Sequence, residues 1–403
     1  MGSESICVIG LGYIGLPTAS LLATKGFAVH GVDVTPHVVD TINSGKIHIV
    51  EPDLDILVQA AVHSGKLRAH LEPGPADIFI IAVPTPFTEG HQPDLSYIEQ
   101  ATAALAPHVV AGNLIILEST SPVGTTELVE KRLREARPDL IDAGECKFFV
   151  AHCPERVLPG SILRELVEND RIVGGVDRAS TDRAVAFYET FVNGEVLATD
   201  SRTAELAKLV ENSYRDVNIA FANELSILAV HFGINVWELI RLANRHPRVD
   251  ILQPGPGVGG HCLAVDPWFI ISGAPKDAKL IRLAREVNDS KIDWVVEWVV
   301  KKAARYRAPV VACLGLAYKP NIDDTRESPA LAITRKLRER IEGEILACDP
   351  NLKRFDEFEI HPLSSAIERA DIVVGLVAHR EFTRIDPEFL KDKVVIDTCG
   401  IFR

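Results

Sequence analysis

A single cysteine stands in the run Gly255-Pro-Gly-Val-Gly-Gly-His-Cys262-Leu-Ala-Val-Asp266-Pro-Trp268, with four glycines ahead of it and an aspartate four residues behind. A thiolate adds to carbonyl carbon, a carboxylate can hold or deprotonate water, and glycine removes the side-chain bulk that would keep a ligand from the sulfur. Cys262 is therefore the candidate nucleophile, with Asp266 beside it. The chain has seven cysteines, widely spaced, and they form neither a C-x-x-C pair nor a metal-ligand array. That predicts no metal and a reducing compartment, the cytoplasm.

Further polar candidates lie upstream. Lys208, Asn212 and Arg215 fall at i, i+4 and i+7 within residues 203–232, a segment almost free of helix breakers. Thirty helical residues would span roughly 45 Å, enough to bridge two domains. Most other positions of the segment are apolar, which predicts an enclosed helix whose polar stripe faces a site. A second helical piece at 237–243 then leads through Asn244-Arg-His-Pro-Arg248 into the Cys262 loop.

The elements that must position these groups begin at the N-terminus. Residues 5–9 read as a short buried strand, followed by Gly10-Leu-Gly12-Tyr13-Ile14-Gly15, a helix to about Lys25 and a second strand, 28–32, ending at Asp33. This is a dinucleotide-binding context. Gly10 and Gly12 permit a tight turn and close approach of a pyrophosphate, Gly15 lets helix pack on strand, and the helix N-terminus faces the phosphate charge. Asp33 is placed to accept ribose hydroxyls and repel a 2'-phosphate, so the expected cofactor is NAD rather than NADP. Strand-like runs at 77–83, 114–117 and 148–151 end in Val83-Pro84-Thr85-Pro86, Glu118-Ser-Thr120-Ser-Pro and Cys153-Pro-Glu155-Arg156. In a doubly wound sheet such ends line one crevice.

After a helical run at 278–305 the alternation restarts, with strands at 309–315, 344–349, 372–376 and 394–397 and a helix at 328–341. It lacks G-x-G-x-x-G and should hold a different ligand; the loop from Lys319 to Arg326 is charged enough to close over phosphates. The fold class expected is α/β, two Rossmann-like doubly wound domains joined by a long central helix and a helical central region. The boundaries are set at 1–200, 201–305 and 306–403.

Composition narrows the partners. A chain of 403 residues needs more than one core, and 47% hydrophobic with 25% charged residues is the balance of a soluble globular protein. A net charge of -13 argues against general affinity for nucleic acid or anionic membrane. The apolar run at 6–9 is broken by glycines and has no basic leader, so it is not read as a signal peptide. No stretch approaches membrane-spanning length, and no internal repeat is evident.

From Ser5 to the C-terminus these residues, in this order, resemble the UDP-glucose/GDP-mannose dehydrogenase family. The resemblance is carried by the fingerprint, Lys208-x-x-x-Asn212, Gly259-Gly-His-Cys262 with Asp266, and Lys319 with Arg326. Ile49-Val-Glu-Pro-Asp-Leu54, Asp216-Val-Asn-Ile-Ala-Phe-Ala-Asn223, Gly233-Ile-Asn-Val-Trp-Glu-Leu-Ile240 and Val265-Asp-Pro-Trp-Phe269 look most like the members acting on UDP-N-acetyl-D-mannosamine. Members that take UDP-glucose carry a lysine where this chain has Val265. His261 sits where the family varies and is not assigned as a base.

The resemblance implies a four-electron oxidation at C6 of a UDP-sugar, through a thiohemiacetal and a thioester on Cys262, with NAD accepting both hydrides. Thr120 and Asp266 would place the hydrolytic water with Glu155 as acid/base, and Lys208 and Asn212 would hold the oxyanion. Gly10, Gly12, Tyr13, Ile14, Gly15, Asp33, Pro84, Thr85, Thr120 and Arg326 would contact NAD. Glu155, Arg156, Lys208, Asn212, Arg215, Arg248, Gly259 and Lys319 would contact the UDP-sugar. A homodimer or dimer of dimers built on the long helix is implied, with Arg248 reaching the partner's sugar site. Three alternatives remain open: a 6-dehydrogenase for another UDP-sugar, UDP-N-acetylglucosamine or UDP-glucose; a two-electron hydroxyacid-type dehydrogenase, which would have no use for Cys262; and a non-catalytic NAD-binding regulator.

Overall fold

In a computed structural model, which describes residues 4–88, 90–158, 160–260 and 262–402, the chain forms two compact units, residues 1–210 and 211–403. The first unit is built on a sheet of eight strands: β1 (Ser5–Ile9), β2 (Ala28–Val32), β3 (Leu67–His70), β4 (Ile78–Ile81), β5 (Leu114–Leu117), β6 (Phe149–His152), β7 (Arg171–Gly175) and β8 (Val196–Asp200). Their order is β8-β7-β6-β5-β4-β1-β2-β3. Strands β1 to β6 run parallel, while β7 pairs antiparallel with β6 and parallel with β8. The order reverses between β1 and β4, and a crevice opens there beyond the strand C-termini.

The central strands are apolar runs because both faces of the sheet are covered. Along β1, β4 and β5 the residues divide by pleat. Ile6, Val8, Ile78, Ile80, Leu114 and Ile116 enter one core layer, with α1 (Gly15–Thr24), α2 (Pro36–Asn43), α3 (Leu54–His63), α6 (Ile162–Glu168) and α7 (Arg178–Tyr188). Cys7, Ile9, Phe79, Ile81, Ile115 and Leu117 enter the other, with α4 (Ser96–Leu105) and α5 (Thr125–Ala136). Burying both faces fixes the register, since a slip of one residue would exchange the layers.

Helix α8 (Ser201–Phe232) is continuous over 32 residues. The second unit carries α9 (Val236–Ala243), α10 (Asp266–Gly273) and α11 (Lys279–Ala303). Beyond them lies a parallel sheet of β9 (Val310–Leu314), β10 (Glu344–Cys348), β11 (Ile372–Gly375) and β12 (Val394–Asp397), ordered β10-β9-β11-β12, with α12 (Pro329–Arg340) against it. These are the two Rossmann-like folds expected from the sequence.

The repeat missing from the sequence is present in the backbone. Gly10, at φ 92°, donates its N–H to Val32 O, and Asp33 accepts the N–H groups of Leu11 and Thr35. In the second unit Gly315, at φ 99°, donates to Cys348 O, and Asp349 accepts the N–H groups of Leu316 and Asn351. One turn is built twice. Main-chain donors hold it, so side chains other than the glycine and the acid are free to differ.

The expectation that α8 is enclosed is corrected. Its buried positions include the polar residues Glu205, Asn212, Asp216, Asn223 and Ser226, whereas Leu206, Val210, Tyr214, Phe221, Leu228 and Phe232 are exposed. The polar stripe points inward because each of these groups has partners on neighbouring loops and helices; the apolar stripe has none to cover it within the chain.

Candidate active site

The first unit contributes a nucleotide cradle. A Cβ on Gly10 would lie 2.5 Å from Ala82 O, and one on Gly15 would lie 1.7 Å from Gly10 O, so both glycines are demanded by packing of the loop itself. A Cβ on Gly12 would have no protein atom within 4 Å, and the residue is exposed, as is Tyr13, while Ile14 at the N-cap of α1 is half-buried. That open backbone, at a helix N-terminus and below half-buried Asp33, fits the pyrophosphate and ribose of a dinucleotide.

Pro84, Thr85 and Thr120 stand at the C-terminal ends of β4 and β5. Thr85 Oγ1 donates to Thr120 O, and Ser119 Oγ donates to Val83 O at 2.7 Å, so the two predicted segments are stitched side by side. Glu155 follows β6 and is buried. Its Oε1 accepts the N–H groups of Arg156 and Val157, and its Oε2 accepts from Arg171 at 3.0 Å. A carboxylate occupied in this way holds the loop.

A neighbouring carboxyl is less fully bonded: Glu118 Oε2 has no hydrogen-bond partner among the described residues. Burial, reinforced by the negative charge of Glu155, pushes Glu118 up to about 7 against the opposing pull of Arg171 and the Tyr188 hydroxyl, which donates to Glu118 at 2.8 Å. The sequence marks Glu118 only as part of a loop and gives no role to Arg171 or Tyr188. Their one signal is an arginine heading the otherwise apolar Arg171-Ile-Val-Gly-Gly175. Arg156 extends instead to Asp170 O at 3.1 Å. On α8, Glu205 accepts the N–H groups of Gly124 and Thr126 and thereby caps α5, one turn ahead of half-buried Lys208.

In the second unit, Cys262 is the one exposed cysteine of the seven. Its carbonyl accepts the N–H groups of Val265 and Asp266 at 3.0 and 2.9 Å, a turn that starts α10 with Asp266 in the first turn and Pro267 behind it. Asp266 is 3% exposed and accepts Asn212 Nδ2 at 2.5 Å. These two predicted residues are therefore in direct contact. A buried chain of amides supports the loop ahead of the thiol. Gly255 N–H donates to Asn223 Oδ1 at 2.8 Å, Asn223 Nδ2 to Asn288 Oδ1 at 2.9 Å, and Asn288 Nδ2 to Asp216 Oδ1 at 2.8 Å. Arg285 Nη1 donates to the same carboxylate at 2.7 Å. Burial raises Asp216, and the Arg285 charge opposes that. Arg285 and Asn288 were not identified from the sequence.

The glycines before Cys262 are also corrected in part. A Cβ on Gly259 would lie 2.3 Å from Glu327 O, and one on Gly260 would meet the Tyr318 ring at 2.9 Å. Gly260 further holds φ 83°. The missing bulk at these two positions is filled by protein, not left open for a ligand. Lys319 is half-buried, with Nζ 5.8 Å from the Tyr318 ring centroid, and Arg326 pairs with Asp324 at 2.6 Å. Arg215 is exposed on α8. Arg248 is exposed on a loop whose ends Asn244 closes by bonds to the N–H and C=O of Ile251. His261 lies outside the described residues. Among the described residues no group of three or more His, Cys, Asp or Glu could hold a metal, and no helix is long and apolar enough to cross a membrane.

The second nucleotide-type turn differs from the first in one respect. Asp349 is 3% exposed; His379 Nε2 lies 3.2 Å from its Oδ2, while His379 Nδ1 accepts the Asn321 N–H at 3.0 Å. The imidazole closes the acid off and ties it to the charged 319–326 loop.

A dinucleotide cradle on one Rossmann fold, followed by a cysteine loop and a second Rossmann fold, is the layout of an NAD-dependent dehydrogenase. The chain belongs to the UDP-glucose/GDP-mannose dehydrogenase family, matching its NAD binding domain over residues 4–192, its central domain over 202–290 and its UDP binding domain over 312–403. It is an NAD-dependent nucleotide-sugar dehydrogenase. It is 56% identical to an NDP-N-acetyl-D-galactosaminuronic acid dehydrogenase of Ralstonia nicotianae, over 99% of this chain and 96% of that one. It is 55% identical to a UDP-N-acetyl-D-mannosamine dehydrogenase of Campylobacter jejuni, over 97% and 98%. A solved UDP-N-acetyl-D-mannosamine dehydrogenase from Pyrococcus horikoshii superposes with a TM-score of 0.89 at 40% identity, covering 99% of this chain and 96% of that chain.

Proposed function

We propose that the chain oxidises the C6 alcohol of UDP-N-acetyl-D-mannosamine to the carboxylate, with Cys262 as the covalent nucleophile. The observation that carries this reading is an exposed thiol four residues from a buried aspartate fixed by Asn212. NAD, when bound, accepts hydride. The chain's own groups do the rest. The Cys262 thiolate adds to the C6 aldehyde carbon to give a thiohemiacetal, whose oxidation leaves a thioester, and water hydrolyses it with return of the thiol. Lys208 and Asn212 offer donors to the oxyanion, and Asp266 with Thr120 orients the water. Per sugar, one alcohol, two NAD+ and one water become one carboxylate, two NADH and three protons.

Arg156, Arg215, Gly259 and Lys319 are read as contacts of the UDP-sugar, and Pro84, Thr85 and Arg326 as contacts of NAD. Division into NAD-binding, central and UDP-binding portions, residues 1–200, 201–305 and 306–403, follows the same reading. The exposed apolar stripe of α8 supports a homodimer, with Arg248 serving the partner's site, and seven widely spaced cysteines support a cytoplasmic setting for polysaccharide precursor synthesis. Val265, which leaves no cation before Asp266, favours an N-acetylhexosamine over glucose.

The test is the number of NADH formed per UDP-sugar. Two are expected for the wild type, with Cys262→Ala unable to complete the second oxidation; one NADH and a free carbonyl product would overturn the reading. In a panel of UDP-sugars, kcat/KM should be highest for the N-acetylmannosamine form. A higher value for UDP-N-acetylgalactosamine, UDP-N-acetylglucosamine or UDP-glucose would reassign the sugar without touching the mechanism.

A further inference from the structure

Lys291, on α11, is 2% exposed and has no part in the oxidation. Its Nζ donates to Ser226 Oγ and lies 4.1 Å from the centroid of the Trp294 ring. Among the described residues no carboxylate pairs with it. The amine lines a cavity of about 290 Å³ whose walls include Trp237, Trp294, Trp298, Asn235 and Asp397. A buried ammonium with only a hydroxyl and an indole face for company is poorly solvated, and burial accordingly lowers Lys291 to about 7. An anion entering the cavity would supply the missing counter-charge.

The walls restrict which anion. Asp397 already accepts four backbone N–H groups, those of Cys399, Gly400, Ile401 and Phe402, so its carboxylate is held in the wall. A cavity lined by one cation and one carboxylate suits a ligand of single charge and disfavours the two charges of a phosphate. Asn235 spends its Oδ1 on the N–H groups of Trp237 and Glu238, which leaves its amide nitrogen as the donor it can offer. The indoles present flat apolar surface. We propose that this cavity is a binding site for a small monocarboxylate with a flat aromatic body, its carboxylate on Lys291 and its ring against the indoles.

The acidic residues next in sequence to the lining residues Trp237 and Trp294 are engaged elsewhere: Glu238 with Arg241 and Asp293 with Lys336. Binding should then couple to the proton on Lys291 and weaken as pH rises from 6.5 to 8.5, because above about 7 the amine must first take up a proton.

Three of the chain's four tryptophans line the cavity, so indole fluorescence reports on it. The holoprotein is titrated with benzoate and indole-3-acetate, with neutral benzamide and inorganic phosphate as controls. Saturable quenching by the two acids is expected, at least tenfold weaker for benzamide, for phosphate and for Lys291→Met, and weaker at pH 8.5 than at 6.5. The benzamide arm uses wild-type protein and stands even if the variant folds poorly. Equal quenching by benzoate and benzamide, or no loss in Lys291→Met, would overturn the site. So would a signal that follows protein concentration instead of added acid, which would assign the cavity to a contact between copies of the chain.

Discussion

Asp33 does two things with one carboxylate. It ties the glycine turn to β2 through the Leu11 N–H and holds a negative charge at the edge of the cradle. Asp33→Ser should therefore lower the ratio of kcat/KM with NAD to that with NADP by roughly tenfold or more, as like-charge repulsion of a 2'-phosphate is removed. KM for NAD should rise as well, because the turn loses its anchor; an unchanged ratio would remove Asp33 from cofactor selection. Lys291 makes a different kind of residue-scale prediction. Its folded-state value, about 7, lies below the ordinary lysine value near 10.5, so the unfolded chain holds more protons across that window. Stability should rise with pH between about 7 and 10, by roughly 1.4 kcal/mol per unit at most. In Lys291→Met that rise should be absent from denaturant midpoints measured over the same range, and the variant should be the more stable at pH 7.

At the scale of the element, α8 shows what a sequence can and cannot say. Its length and the spacing of Lys208, Asn212 and Arg215 were legible, since breakers and i, i+4 spacing are local properties. Which face turns inward was not, because an apolar stripe carries no record of what covers it. Tyr214, Phe221 and Leu228 recur every seven residues and are exposed, Phe221 by 53%. Such a stripe is what one helix offers another in a dimer. Replacing Phe221 and Leu228 together with glutamate should halve the mass seen by sedimentation. If Arg248 serves the partner's site, activity should fall with it; a variant that stays dimeric would move the interface off this helix. The Asp216–Arg285–Asn288–Asn223 chain was illegible for another reason. Its members on α8 and α11 are more than sixty residues apart, and only the fold reveals that they share one network.

For the molecule as a whole, the short apolar strands could be read because parallel strands buried on both faces leave few other sequences possible. The antiparallel edge, β7 and β8, escaped because Arg171 and two glycines break its pattern. The Cys262 loop was legible as a glycine-rich run around a cysteine, but not the reason for its glycines: Gly259 and Gly260 are glycine so that the loop can lie against Glu327 and Tyr318. Substitution there should cost fold stability along with activity.

The His379 imidazole over Asp349 bears on how many cofactors one chain can take up. To receive a ribose in the way expected of Asp33, which keeps its turn bonds and stays half-buried, Asp349 would have to give up its contact with His379 inside a site 3% exposed. A chain with two nucleotide-type folds should therefore saturate with a single equivalent of NAD. Calorimetric titration in the absence of sugar should show one transition, and a second of comparable affinity would mean that the imidazole does not keep that acid shut.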